Sequence, residues 1–82
     1  DMWPLGVMLW IKLVSSPPWE RADHQDPAYC YYLQHGAADL LDQWNIETVP
    51  VAAIDLIEGL LCPDPWERLT VDEVLAHPWM VA

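Results

Sequence analysis

The sequence predicts an all-α chain, and three observations carry the prediction. Apolar residues fill almost every position from Met2 to Val14, a run too long for an ordinary strand. Two later segments open with helix-start signals: Asp26-Pro27, and Thr70 followed three residues on by Glu73. No polar/apolar alternation persists long enough to mark a β-strand, and there is no internal repeat or low-complexity tract.

The first predicted helix spans Met2 to Val14, with Asp1 as N-cap and Pro4 in the first turn, where no hydrogen bond is lost. With no polar face left for water, such a helix belongs in the middle of something larger. Ser15-Ser16-Pro17-Pro18 breaks it, and an acidic loop follows with Trp19 as its one anchor. Asp26-Pro27 starts a second helix, which runs through Tyr29, Tyr31, Tyr32 and Leu33 to His35 and stops at Gly36. Ala37 to Asn45 reads as irregular or a short helical turn anchored by Leu40, Leu41 and Trp44. A third helix is predicted from near Thr48, with Pro50 in its first turn and Ala53, Ile54, Ile57, Leu60 and Leu61 on one stripe. Cys62-Pro63-Asp64-Pro65 ends it. A fourth begins with the Thr70–Glu73 capping box and ends by His77-Pro78. Trp3, Trp10, Trp66 and Trp79 are expected in the core.

Bulk properties narrow the function. A chain of 82 residues is one small domain or a piece of a larger one, and at this size folding hides only roughly 60% of the unfolded surface. Hydrophobic residues make up 54% and six residues are tryptophan, so part of the apolar surface is expected to lie against further polypeptide. Thirteen acidic residues face three basic ones, Lys12, Arg21 and Arg68, for a formal charge of −10. That balance repels phosphate backbones and anionic lipid, so no nucleic acid and no membrane are expected as partners. Cys30 and Cys62 make no disulfide framework, which points to a reducing, intracellular compartment, cytoplasmic or nuclear. There is no signal-peptide pattern, and the Met2–Val14 stretch is too short to span a bilayer. His24, His35, His77 and the two cysteines show no CxxC or HxxxH spacing, so no metal site is predicted. Beginning at Asp1 without an initiator methionine, the chain reads as an excised or incomplete product.

Three segments carry a family resemblance. Asp1-x-Trp3-x-x-Gly6-Val7-x-Leu9-Trp10 resembles the D-x-W-S-x-G-V-x-L-Y segment of eukaryotic protein kinases, and Pro17-Pro18-Trp19 resembles the P-P-F that follows it. Asp64-Pro65-x-x-Arg68-Leu69-Thr70 and Leu75-x-His77-Pro78-Trp79 resemble the family's D-P-x-x-R-x-T and L-x-H-P-W ending. Order and spacing agree over nearly the whole chain. The Trp19–Leu33 stretch is similar to fungal and checkpoint-type serine/threonine kinases. The resemblance implies an all-α fragment, helices αF to αI of the C-lobe, with residues 1–82 forming the C-terminal portion of a kinase domain. The N-lobe, catalytic loop and activation segment would precede Asp1.

What the resemblance implies about sites follows residue by residue. Asp1 would hold the catalytic loop's backbone amides from the start of the central helix. Arg68 would pair bidentately with the glutamate of the A-P-E segment, which is not in this chain. Both would support the active site structurally. Tyr29, Tyr31 and Tyr32 are candidates for partner docking, because the corresponding family helix contacts substrates or regulators. The competing readings are an ordinary N-cap, a surface arginine beside Asp64 or Glu67, and tyrosines that merely cover neighbouring helices. No Gly-rich loop, V-A-I-K lysine, H-R-D-x-x-x-x-N or D-F-G is present, so no catalytic, cofactor-binding or metal residue is assigned.

ATP and Mg²⁺ are expected for an intact parent that transfers the γ-phosphate to protein hydroxyls, and none in this fragment, which is expected to be inactive alone. Its partners would be the remainder of the kinase domain and the parent's protein substrate. The alternative is a pseudokinase remnant or truncated interaction module. Departures from the pattern are Pro4 for serine or alanine, Ser15 for a frequent glycine, and Ile11 for the glutamate of many basic-directed kinases. No arginine-directed preference is therefore inferred.

Overall fold

The apolar opening segment is helix α1 (Met2–Val14) in the computed structural model, which describes residues 2–81. Asp1, with its predicted roles as N-cap and as holder of the catalytic loop's amides, lies outside the described residues. Only Gly6 and Trp10 of α1 are buried, whereas Leu5, Met8 and Ile11 are 39%, 65% and 41% exposed. The sequence predicts a helix covered all round, but the described residues cover one face. The cover is α3 (Val51–Leu60), which packs directly on α1. A Cβ added to Gly6 would lie 2.8 Å from Leu61 Cδ2 and 2.9 Å from Leu60 Cβ, so the missing side chain is what permits the close approach. α1 ends as Ser15 turns into the left-handed region (φ 72°) and its N–H donates to the Ile11 carbonyl at 2.7 Å. That conformation favours the glycine whose place Ser15 takes.

α2 (Pro27–Gln43) starts where predicted, on Asp26, but does not stop at Gly36. Gly36 (φ 86°, ψ 175°) kinks it, and the helix resumes at once, burying Ala37, Leu40 and Leu41. The restart has a non-local cause. Glu58 Oε1 on α3 accepts the Ala37 N–H at 2.8 Å and so caps the second half across the fold. The end is a Schellman arrangement: Asn45 sits at φ 58°, Asn45 N–H donates to Asp42 O at 3.0 Å and Ile46 N–H to Leu41 O at 2.9 Å.

α3 begins later than its predicted start near Thr48. Pro50 is extended (φ −61°, ψ 149°) and stands just outside as N-cap. Of the predicted stripe, Ala53, Ile57, Leu60 and Leu61 are fully buried, joined by Leu56, and Ile54 is half-buried against the core. α4 (Val71–Leu75) carries the capping box in full: Thr70 N–H donates to Glu73 Oε1 at 3.0 Å, and Glu73 N–H to Thr70 Oγ1 at 3.3 Å. A short α5 (Pro78–Val81), absent from the sequence reading, follows. His77 ties this end to α3: its Nε2 lies 2.7 Å from Asp55 Oδ2, and its Nδ1 accepts the Trp79 N–H at 3.1 Å. No strand occurs among the described residues.

Candidate functional site

Arg68 lies between α1 and the turn that follows α3. Its Nε donates to the Cys62 carbonyl at 2.9 Å and its second guanidinium nitrogen to the Pro63 carbonyl at 3.4 Å, so the cation closes the C-terminal end of α3. Its guanidinium carbon stands 5.0 Å from the centre of the Trp3 ring on α1. Arg68 is thus half-buried and joins α1 to the end of α3, which is more than the surface ion pair with Asp64 or Glu67 that the sequence also allows.

Trp3 continues into an aromatic wall. Its ring centre is 5.8 Å from Trp19 and 6.4 Å from Tyr29, and Trp19 meets Tyr29 at 4.9 Å and Tyr32 at 5.1 Å. The wall takes in two of the three candidate docking tyrosines, Tyr29 and Tyr32, and the third, Tyr31, also packs on the core. Tyr32 is buried, its hydroxyl donating to the Leu61 carbonyl at 2.9 Å. Burial raises its pKa well above the ordinary tyrosine value, with the Glu58 charge adding to the effect. The expectation that Tyr32 presents a docking surface is therefore corrected: its ring and hydroxyl are spent on the core. Tyr29 is half-buried against Trp19, and Tyr31 is half-buried too, packed on the core with its ring 4.5 Å from that of His35.

The loop leading to this wall is organised by one carboxylate. Asp26 Oδ2 accepts the N–H groups of Glu20 (2.7 Å) and Arg21 (2.9 Å), and Oδ1 those of Ala28 (2.9 Å) and Tyr29 (3.3 Å). The Arg21 N–H is the largest cause holding the Asp26 carboxyl below its usual range; desolvation opposes it, and the Glu20, Tyr29 and Ala28 N–H groups help lower it. An open cleft of about 660 Å³ lies between this loop and Trp44. Two of its three rim carboxylates are engaged, Asp26 as above and Asp23 with Arg21 at 3.2 Å.

Among the described residues no three of His, Cys, Asp and Glu are placed to hold a metal ion. The glycines are taken up by packing and a helix kink, with Gly6 against Leu61, Gly59 against Leu69 and Gly36 beside Glu58, and form no phosphate cradle.

Comparison with known proteins gives this scaffold its family. The protein kinase domain family matches residues 1–80. The chain belongs to the protein kinase family. Relatives include Aurora kinase B of Mus musculus, 38% identical over 82 residues, which cover all of this chain and 22% of that protein. The δ subunit of calcium/calmodulin-dependent protein kinase type II from Oryctolagus cuniculus is 39% identical over 82 residues, 98% of this chain and 14% of the relative. The serine/threonine-protein kinase chk1 of Schizosaccharomyces pombe is 29% identical over 82 residues, all of this chain and 16% of the relative. The chain therefore spans less than a quarter of the length of each of these relatives.

Within this kinase-family chain, the predicted core tryptophans separate. Trp10 is fully buried, Trp3 and Trp79 are half-buried, and Trp66 is 94% exposed, which corrects its assignment to the core. Sequence reasoning also missed Glu58, whose helix-capping carboxylate shows no local pattern to reveal it. No helix among the described residues is long and apolar enough to cross a membrane.

Proposed function

We propose that this chain is the helical lower part of the catalytic domain of a serine/threonine protein kinase, and that its own contribution is scaffolding. The parent transfers the γ-phosphate of ATP to protein hydroxyls with Mg²⁺; the groups that bind nucleotide and metal are supplied by polypeptide outside these residues. One observation carries the reading: within a family match over residues 1–80, α1 keeps an apolar row, Leu5, Met8 and Ile11, open on the side away from α3. An apolar row on a helix asks for cover, and the remainder of the kinase domain is the cover proposed. In this reading Arg68, bound to the carbonyls that follow α3 and stacked on Trp3, also pairs with a carboxylate of the activation segment and is a positioning residue. The exposed parts of the half-buried Tyr29 and Tyr31 are what packing leaves available of the proposed docking face, and the compartment proposed is the cytoplasm or nucleus.

Calorimetric titration of residues 1–82 with ATP·Mg²⁺ tests the scaffold reading. No heat of binding is expected, and saturable micromolar binding would contradict it. In the complete polypeptide, Arg68→Ala is expected to lower phosphotransfer and to speed proteolysis of the activation segment. Wild-type activity together with an unchanged cleavage pattern counts against the positioning role. Phosphotransfer by the wild-type polypeptide separates an active kinase from a pseudokinase.

A further inference from the structure

Trp66 is the most exposed large apolar side chain among the described residues, at 94%. Its exposure does not come from a loose loop. The Trp66 N–H donates to Asp64 Oδ1 at 2.9 Å, and the Glu67 and Arg68 N–H groups both donate to the Asp64 carbonyl at 3.1 Å. Leu69 N–H then donates to Gly59 O at 3.0 Å, and Arg68 anchors the loop to the Cys62 carbonyl. The backbone is braced before, under and after the indole, which is held outward on a fixed stem.

Its surroundings select a ligand chemistry. Asp64 and Glu67 are exposed on either side of Trp66, on a chain of formal charge −10. Among the described residues no cation or second ring stacks on the Trp66 indole, so both faces are open. The same chain displays the pairing that such a ring can make, with the Arg68 guanidinium stacked over Trp3. A planar guanidinium can lie on an indole face while its N–H fork reaches a carboxylate, satisfying both features at once. Indoles in such settings are frequent energetic centres of interfaces.

We propose that the Asp64–Arg68 loop is a docking site for an arginine-bearing basic segment of another protein, with Trp66 as the anchor and Asp64 and Glu67 answering the charge. The site does not depend on phosphotransfer.

The test is fluorescence anisotropy on the complete polypeptide, using a short fluorescein-labelled peptide of alternating glycine and arginine as the probe. Saturable binding is expected, weakened about tenfold by Trp66→Ala and about threefold by Glu67→Gln, with a shallower salt dependence in the second variant. Because the indole is almost wholly in water, Trp66→Ala should melt as the wild type does. If it melts earlier, the Glu67→Gln arm and partial retention of binding by Trp66→Phe still decide the matter. Equal affinity of Trp66→Ala and wild type would overturn the proposal, leaving net charge as the cause. Failure to bind the peptide, coupled with Trp66-dependent self-association in sedimentation or Trp66-dependent capture by phosphatidylcholine vesicles, would also overturn it in favour of a second copy or a lipid surface.

Discussion

The two faces of α1 are made of the same kind of residue and meet different fates. On one, Gly6 and Trp10 are sealed against α3 and its continuation, with Trp10 fully buried and 5.7 Å from the Trp44 ring in an edge-to-face arrangement. On the other, Leu5, Met8 and Ile11 recur at helical spacing and remain open. Hydrophobicity alone does not distinguish them. The covered face is the one where a glycine lets a second helix approach, which teaches that shape selects the partner once greasiness has demanded one.

That contrast can be tested by substitution. Trp10→Ala should cost about 3–5 kcal/mol in the unfolding free energy of the complete polypeptide, as expected for emptying a buried indole site. A loss under 1 kcal/mol on chemical denaturation would mean the covered face is loosely packed. Gly6→Ala should cost about 1–3 kcal/mol by overpacking against Leu60 and Leu61, and a neutral result would show that α3 can slide away. Met8→Ala sharpens the comparison most finely. In the isolated chain, where Met8 is 65% exposed, it should shift stability by less than about 0.5 kcal/mol. Within the complete polypeptide the same change should cost several times more, measured by the same denaturation.

Where the sequence and the fold agree, the cause is local. The Met2–Val14 boundaries follow from apolar continuity and the Ser-Ser-Pro-Pro break, and the Thr70–Glu73 box is a pattern four residues long that its own atoms satisfy. Asp26 was legible as a helix cap for the same reason, though its grip on the Glu20 and Arg21 amides was not.

The misses have distant or steric causes. Gly36 carries the signature of a helix end, and only the Glu58 carboxylate, brought in from α3, restarts the helix beyond it. Pro50 fits a first turn in sequence, yet its ψ of 149° places it outside. Trp66 looks like core by composition, but the Asp64 hydrogen bonds fold its loop so that the indole points to water. Tyr32 shares a helix with Tyr29 and Tyr31, and it is the distant Leu61 carbonyl and Trp19 ring that bury it fully while the other two stay half-buried. For Arg68 the resemblance implied a partner carboxylate. The contacts to Cys62, Pro63 and Trp3 add an anchoring role that spacing did not disclose.

The most direct test of whether α1 is an interior post is the alkylation rate of a cysteine placed by Met8→Cys, with Cys30 and Cys62 changed to serine. The thiol should react freely in the isolated chain and be protected in the complete polypeptide, where the rest of the kinase domain covers Leu5, Met8 and Ile11. Equal rates in both would contradict the account, because α1 would then be a surface helix of whatever protein carries it.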